Sequence, residues 1–210
     1  MKNCNAPKHQ TTRRILLITC ATALAVAFMV SLLQPVHAAQ VTPPPVPGAI
    51  QVQAGEKAFF EGHADGTQNY VCLPSGSGFA WVLFTPQATL FNDYDEQVIT
   101  HFFSPNPDED GIIRATWQHS RDTSTVWAMT IQSYSEPDFV APDAIPWLLL
   151  DVRYAENGPT GGHKLTATTS IQRLNTSGGV APLTGCASLT DVGNRAYVPY
   201  TADYFFYKVP

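Results

Sequence analysis

Apolar residues recur at every second position over short stretches of this chain, with turn-forming residues between the stretches. Thr125, Trp127, Met129 and Ile131 illustrate the alternation. This period is that of a β-strand with one face in a core, whereas a helix would place apolar residues three or four positions apart. With turns about every 8–12 residues, the pattern predicts an all-β, single-domain antiparallel β-sandwich or barrel of about 9–10 strands, with at most a short helical turn.

Three local patterns predict how the strands are divided. Asp65-Gly66 is typical of a hairpin turn and predicts that two strands meet there. Residues 79–84 are apolar on both faces, which predicts a central buried strand that Thr85-Pro86 ends. Residues 143–150 suit either a buried strand or a short helix, and we interpret them as a helical turn leading into a strand.

The first 38 residues have the features of an export signal. Four basic residues precede an uncharged, mostly apolar stretch at 15–33, and Val36 and Ala38 suit a cleavage site. We expect residues 1–38 to be a signal peptide cleaved near Ala38, and the protein to be secreted or periplasmic. Two alternatives remain open. The apolar stretch is long enough for an uncleaved anchor, and Arg13-Arg14 also suits twin-arginine export.

Residues 39–48 are rich in proline and predict an extended linker before an all-β domain at residues 49–210. Cleavage of the signal removes four basic and no acidic residues, which leaves 8 Lys and Arg against 17 Asp and Glu, a net charge of −9. An acidic domain repels phosphate backbones, so we expect no nucleic-acid partner. We also expect no stable membrane insertion after cleavage.

Two cysteines, Cys72 and Cys186, remain after signal cleavage. In an exported protein such a pair predicts a disulfide, because the compartment is oxidising. The bond would close a long loop, for which the chain-entropy model gives about 4–5 kcal/mol of stabilisation. A thiolate metal site is the alternative, but two distant cysteines supply too few soft ligands.

Several motifs occur in an order that resembles one known family. They are Gln68-x-Tyr70-x-Cys72, Trp81 with Pro86-x-Ala88-x-Leu90, Ala115-Thr116-Trp117, Ala144-Ile145-Pro146-Trp147, Ile171-Gln172-Arg173-Leu174-Asn175-Thr176 and Val198-Pro199-Tyr200-Thr201-Ala202-Asp203-Tyr204. Over residues 50–208 the chain resembles the domain-of-unknown-function family 3455 of exported bacterial and fungal proteins. The resemblance implies no activity and no catalytic residues. Some fungal members carry a malate dehydrogenase label, but this chain has no Gly-x-Gly-x-x-Gly motif for a dinucleotide.

Aromatic side chains with polar neighbours supply the candidate ligand-binding residues. Such residues can line a groove for sugars or flat apolar ligands, although ordinary core packing also explains aromatics in strands. The candidates are Gln68, Tyr70, His101, Trp117 and Asp122. We therefore predict a binding or surface-structural module with a small-molecule or carbohydrate ligand.

An enzyme is the alternative, either a hydrolase or a metal-dependent enzyme outside the cytoplasm. His63, Asp65, His101 and His119 are possible metal ligands, but their spacing matches no metal motif, and we predict neither a metal nor another cofactor. A pair of carboxylates could act as general acid and base if two of them converge. The candidates for that pair are Asp93, Asp95, Glu96 and Asp122.

Overall fold

The period-two alternation becomes eight antiparallel strands that close into a barrel. A computed structural model describes residues Val41–Pro210, so the predicted signal peptide lies outside the described residues. The strands are β1 (Lys57–Ser75), β2 (Gly78–Phe91), β3 (Gln97–Pro105), β4 (Ile113–His119), β5 (Thr125–Tyr134), β6 (Trp147–Glu156), β7 (Ser170–Gly178) and β8 (Arg195–Lys208). Each strand pairs with the next, and β8 pairs with β1. The predicted all-β class is confirmed, and of the two architectures left open the barrel is the one found.

The number of strands is eight, below the predicted 9–10, because β1 is one long strand. The hairpin predicted at Asp65-Gly66 is wrong: Gly66 lies inside β1 and pairs with Ala88 on one side and Tyr200 on the other. A Cβ atom on Gly66 would lie 2.2 Å from the Gln87 carbonyl oxygen. The glycine therefore allows a close approach of two strands and does not form a turn.

Strand β2 continues through Pro86, where the sequence predicted an end. Pro86 pairs with Gln68 of β1, whereas the ladder between β2 and β3 begins only at Ala88. At Pro86 the side of β2 that faces β3 is therefore unpaired, and a proline, which has no N–H, loses no hydrogen bond on that side. The prediction of a central buried strand at 79–84 is also wrong, since Val82 is 40% and Phe84 38% exposed.

No α-helix occurs in residues 41–210, and the helical turn predicted near 143–146 is absent there. Ala144 forms an isolated bridge with Gly179, and β6 begins at Trp147. The helical elements in this part of the chain are the 3-10 turns Gly48–Ile50 and Leu189–Asp191. Within the same residues, no helix has the length and apolar composition of a membrane span.

Alternate side chains divide between two cores. Phe206 packs inside the barrel with Leu90, Ile99 and Trp117. Phe205 and Tyr207 point outward into a second core that also contains Ile50, Val140, Trp147, Leu149 and Leu174. Val41 and Val46, within the segment predicted as a linker, pack against this second core. The Gln172 side chain on the outer face of β7 donates a hydrogen bond to the Ile50 carbonyl (2.6 Å), so this N-terminal segment covers the outside of β6–β8.

The predicted disulfide between Cys72 and Cys186 is confirmed, with 5.4 Å between the Cα atoms. It joins β1 to the long connection between β7 and β8. Backbone hydrogen bonds join the same two parts, from Gly193 N–H to the Cys72 carbonyl (3.0 Å) and from Cys72 N–H to the Asn194 carbonyl (2.9 Å). The disulfide therefore anchors a connection that has little regular structure of its own.

Replacing Cys186 with Ser is expected to lower the free energy of unfolding by about 4 kcal/mol, because the unfolded chain regains the entropy of a long open loop. For a domain of this size the melting temperature should fall by roughly 8–16 °C, measured by differential scanning calorimetry under non-reducing conditions. Cys72→Ser should cause the same loss, and the double variant should lose no more than either. An unchanged melting temperature in Cys186→Ser would contradict the role of the disulfide.

Candidate functional site

A cavity of about 340 Å³ opens into the barrel interior. Apolar and aromatic side chains form most of its wall, and polar groups of β1, β3, β4 and β7 project into it. The wall includes Gln68, Tyr70, Leu83, Pro86, His101, Phe103, Ile113, Arg114, Ala115, Trp117, Ala128, Ile145, Leu148, Leu150, Arg173 and Tyr204. Ile113 is 55% and Leu83 38% exposed, which places them at the mouth.

Four of the five predicted ligand-binding residues line this cavity. Gln68 and Tyr70 lie on the inward face of β1, and His101 on β3 is paired with Trp117 on β4. The Tyr70 hydroxyl donates a hydrogen bond to the Gly179 carbonyl (2.6 Å), so its ring is fixed in the wall. The structure thus brings the four side chains together, and their role in ligand binding stays a prediction.

Asp122, the fifth candidate, is placed in the β4–β5 turn and does not line the cavity. Its Oδ1 accepts hydrogen bonds from the Ser124 hydroxyl (2.7 Å) and backbone N–H (3.0 Å), and its Oδ2 accepts from the Lys164 N–H (2.7 Å). Burial raises the pKa of Asp122, but these hydrogen bonds outweigh it and bring the pKa down to about 2. The carboxylate therefore ties two loops together.

His101 is a neutral side chain in the cavity wall. Its Nδ1–H donates a hydrogen bond to the Thr116 carbonyl (2.9 Å), which leaves Nε2 as an acceptor. The imidazole stacks on the Trp117 ring, with centroids 4.2 Å apart and an interplanar angle of 10°. Burial lowers the pKa of His101 to about 3, so the ring carries no charge at neutral pH.

Arg173 is a cavity residue that the sequence analysis did not single out. It lies on β7 between Leu148 of β6 and Tyr204 of β8, and it is only 9% exposed. Its Nε and Nη2 both donate to the Pro146 carbonyl, at 3.2 and 2.9 Å. The sequence contained a clue to this position. Arg173 is two residues after Ile171, so both side chains lie on the same, inward face of β7, and a charged residue on a buried face is unusual.

Arg114, the other cation of the cavity wall, has a carboxylate partner. Its Nε and Nη2 form a bidentate pair with Glu109, at 2.7 and 2.9 Å. These hydrogen bonds from Arg114 are the main reason that the pKa of Glu109 falls to about 2. Glu109 also accepts from Asn106 (2.7 Å) and lies 3.4 Å from Arg153. The charge of Arg114 is therefore neutralised at the mouth.

Two buried donors of the wall have no hydrogen-bond partner among the described residues. They are the Gln68 amide nitrogen, although the Tyr200 hydroxyl is nearby, and the indole nitrogen of Trp117. Gln68 is 2% and Trp117 1% exposed. A buried donor without an acceptor costs stability, so these two groups destabilise the cavity wall as it stands.

The possible metal ligands named from the sequence do not converge as a set. His101 is inside the barrel, the Nδ1 of His119 accepts a hydrogen bond from the Asp122 N–H (3.2 Å), and His63 and Asp65 lie on the outer face. There the His63 Nδ1 is 2.7 Å from Asp203, and its Nε2 is 3.0 Å from Asp93. Ligand atoms of Glu61, His63 and Asp203 lie within 4.8 Å of one another.

The carboxylates of this outer cluster favour a proton on His63. Both ring nitrogens face carboxylates, and the hydrogen bond to Asp203, followed by that to Asp93, raises the pKa of His63 to about 9. Any cation would have to displace that proton. Of the four predicted catalytic carboxylates, Asp93 and Asp95 line a pocket beside this cluster, Glu96 pairs with Arg121, and Asp122 lies in the β4–β5 turn, so the four do not converge on one site.

Comparison with known proteins identifies one family. A family model described as "Protein of unknown function (DUF3455)" matches residues 53–208, which include all eight strands of the barrel. No curated protein and no solved structure matches the chain.

Replacing Asp122 with Asn should destabilise the fold, because an amide NH₂ in place of Oδ2 cannot accept the Lys164 N–H. We expect a loss of about 0.5–1.5 kcal/mol, the usual net contribution of a hydrogen bond, seen as a lower urea midpoint. Asn at the exposed Asp143 should change little. Because the pKa of Asp122 is lowered, its contribution is present above about pH 4 and disappears as the pH falls towards about 2. Equal stability of the two Asn variants would contradict this role.

The His63 ion pairs should make stability depend on pH on the alkaline side. The pKa of His63 is raised from 6.5 to about 9, so its contribution is complete below about pH 6.5 and is lost as the pH rises through about 9. The melting temperature of the wild type should fall more over this range than that of His63→Gln. The exposed His163→Gln serves as the control and should follow the wild type. Parallel pH profiles for wild type and His63→Gln would show that the pairs do not form.

Proposed function

The chain belongs to the DUF3455 family, and we propose that its barrel is a binding module that holds a small, largely apolar ligand in its interior. The observation that carries this proposal is a cavity of about 340 Å³ with two unpartnered buried donors in its wall. Ligand sites in proteins measure about 300–1,000 Å³ and combine apolar walls with a few polar groups. The barrel interior has this composition.

Fixed side chains support a site that exists before the ligand arrives. Tyr70 is bonded to Gly179, His101 is bonded to Thr116, and the imidazole stacks on Trp117. Such side chains lose little conformational freedom on binding, so more of the contact energy contributes to affinity. The aromatic walls favour a flat or apolar ligand body over a fully hydroxylated one.

The hydrolase alternative receives less support from this cavity. None of the described residues that line it carries a carboxylate, so an acid/base pair would have to lie elsewhere. His101, with a pKa of about 3, is a weak general base at neutral pH. A binding role without turnover is therefore the function that we propose.

Export to an oxidising compartment is part of the proposal. The features of residues 1–38 support it, and so does the Cys72–Cys186 disulfide, since such bonds persist outside reducing cytosol. We infer that the mature domain, secreted or periplasmic, captures its ligand there.

A thermal-shift panel of apolar aromatics, polyphenols, lipids and oligosaccharides tests the binding role on the purified mature domain. At a ligand concentration 100 times its Kd, binding adds about 2.7 kcal/mol, which should raise the melting temperature by roughly 5–10 °C. Ala115 lies in the cavity wall, so Ala115→Phe should fill the space and remove this shift. The control is Ala141→Phe, at an exposed position outside the cavity, which should keep the shift.

Two results would contradict the binding role. One is the absence of any shift across the panel with the wild type. The other is an Ala115→Phe variant that keeps a native near-ultraviolet circular dichroism spectrum and still binds as tightly as the wild type, because the ligand would then lie outside the barrel.

A further inference from the structure

Arg173 carries a buried positive charge, and within the described part of the chain no carboxylate pairs with it. No ion pair within residues 41–210 involves Arg173, and its hydrogen bonds there go to one acceptor, the Pro146 carbonyl. A guanidinium has five N–H donors, so a single carbonyl leaves several of them unused. The guanidinium is therefore a fixed cation in the cavity wall.

The surroundings of Arg173 offer no negative charge. His101 is neutral, and the unpartnered groups of Gln68 and Trp117 are donors. Arg114 is a second cation, and the carboxylate at the mouth, Glu109, is already engaged by it. Among the described residues the cavity wall is therefore rich in donors and carries a net positive charge.

This excess is specific to the cavity, because the domain as a whole is acidic. The chain has 17 Asp and Glu against 12 Lys and Arg, and four of those basic residues precede residue 39. An unpaired buried charge is retained at a cost in stability, since a charge is better solvated by water than by a protein interior. The cost is offset if a bound molecule supplies the opposite charge.

We propose that the ligand is an apolar monocarboxylic acid whose carboxylate pairs with Arg173 while its apolar body lies against the aromatic wall. This inference rests on the proposed function and names the chemical class that the cavity takes. The planar fork of a guanidinium matches the two oxygens of a carboxylate. Because the Pro146 carbonyl already fixes Nε and Nη2, the remaining donors are oriented before the ligand binds.

Calorimetric titration with matched probes tests the inference at neutral pH. Naphthalene-2-carboxylate and naphthalene-2-carboxamide share one shape and differ in charge. Decanoate and decanamide do the same with an alkyl body, so the two pairs distinguish an aryl from an alkyl ligand. In at least one pair the wild type should bind the carboxylate tenfold or more tightly than the amide.

Substitutions of Arg173 locate the source of that preference. In Arg173→Gln the carboxylate should bind at least tenfold more weakly while the amide is little changed, so that the preference disappears. Arg173→Lys keeps a charge and should restore part of it. Arg121→Gln is the matched control, since Arg121 has a 72% exposed side chain paired with Glu96, and it should behave as the wild type.

The outcomes separate this inference from the proposed function. Equal affinities for carboxylate and amide in the wild type would overturn the carboxylate assignment and leave a neutral-ligand module. A carboxylate preference that survives in a folded Arg173→Gln variant would show that another group holds the anion. No binding of either pair, together with no shift across the thermal panel, would overturn both. If the Arg173 variants do not fold, the wild-type comparison of each pair still decides the charge preference.

Discussion

The pairing of the first strand with the last is the interaction on which this structure depends. The ladder between β1 and β8 runs from Lys57 opposite Lys208 to Val71 opposite Arg195, with one register shift near Phe60. It joins the two terminal strands of the sheet, so neither of them leaves an open edge, and the free side of β2 before Ala88 remains unpaired next to β3. The disulfide from Cys72 lies at one end of the same strand, and the His63–Asp203 pair lies along the same ladder. Covalent, ionic and backbone contacts thus act on one seam.

Closure also creates the cavity. The inward-facing side chains of all eight strands occupy one interior, and in this barrel they leave part of it empty. At one end Trp117, Tyr204 and Phe206 pack edge to face, with centroids 5.6 and 6.3 Å apart. Towards the other end smaller residues such as Ala115 and Ala128 leave room, and polar side chains occupy the wall. The second core outside β6–β8 adds apolar burial on the outer face of the barrel.

The class of fold could be predicted from the sequence because period-two alternation depends on local spacing. The disulfide could be predicted because only two cysteines, Cys72 and Cys186, follow the predicted signal peptide, which leaves one pairing. Predictions from local sequence were wrong where contact with a residue distant in the chain determines the backbone structure. Asp65-Gly66 has the chemistry of a turn, yet the approach of Gln87 made the glycine part of a strand. Four cavity residues were found from their side-chain chemistry. Arg173 was not predicted as a site residue. What distinguishes it is that no carboxylate among the described residues pairs with it, and pairing between distant side chains cannot be seen in a sequence.

The β1–β8 seam has a consequence for how the protein reaches its native state. His63 and Asp203, which meet across it, are 140 residues apart in the chain. Contacts of such high sequence separation cannot form until a long loop has closed, and proteins rich in them fold slowly. Until then β1 has an unpaired edge with apolar side chains such as Phe59 and Phe60, which is a template for association with other chains. Slow closure would keep β1 unpaired for longer, and a chaperone that covers the edge of β1 would protect the chain until β8 pairs with it.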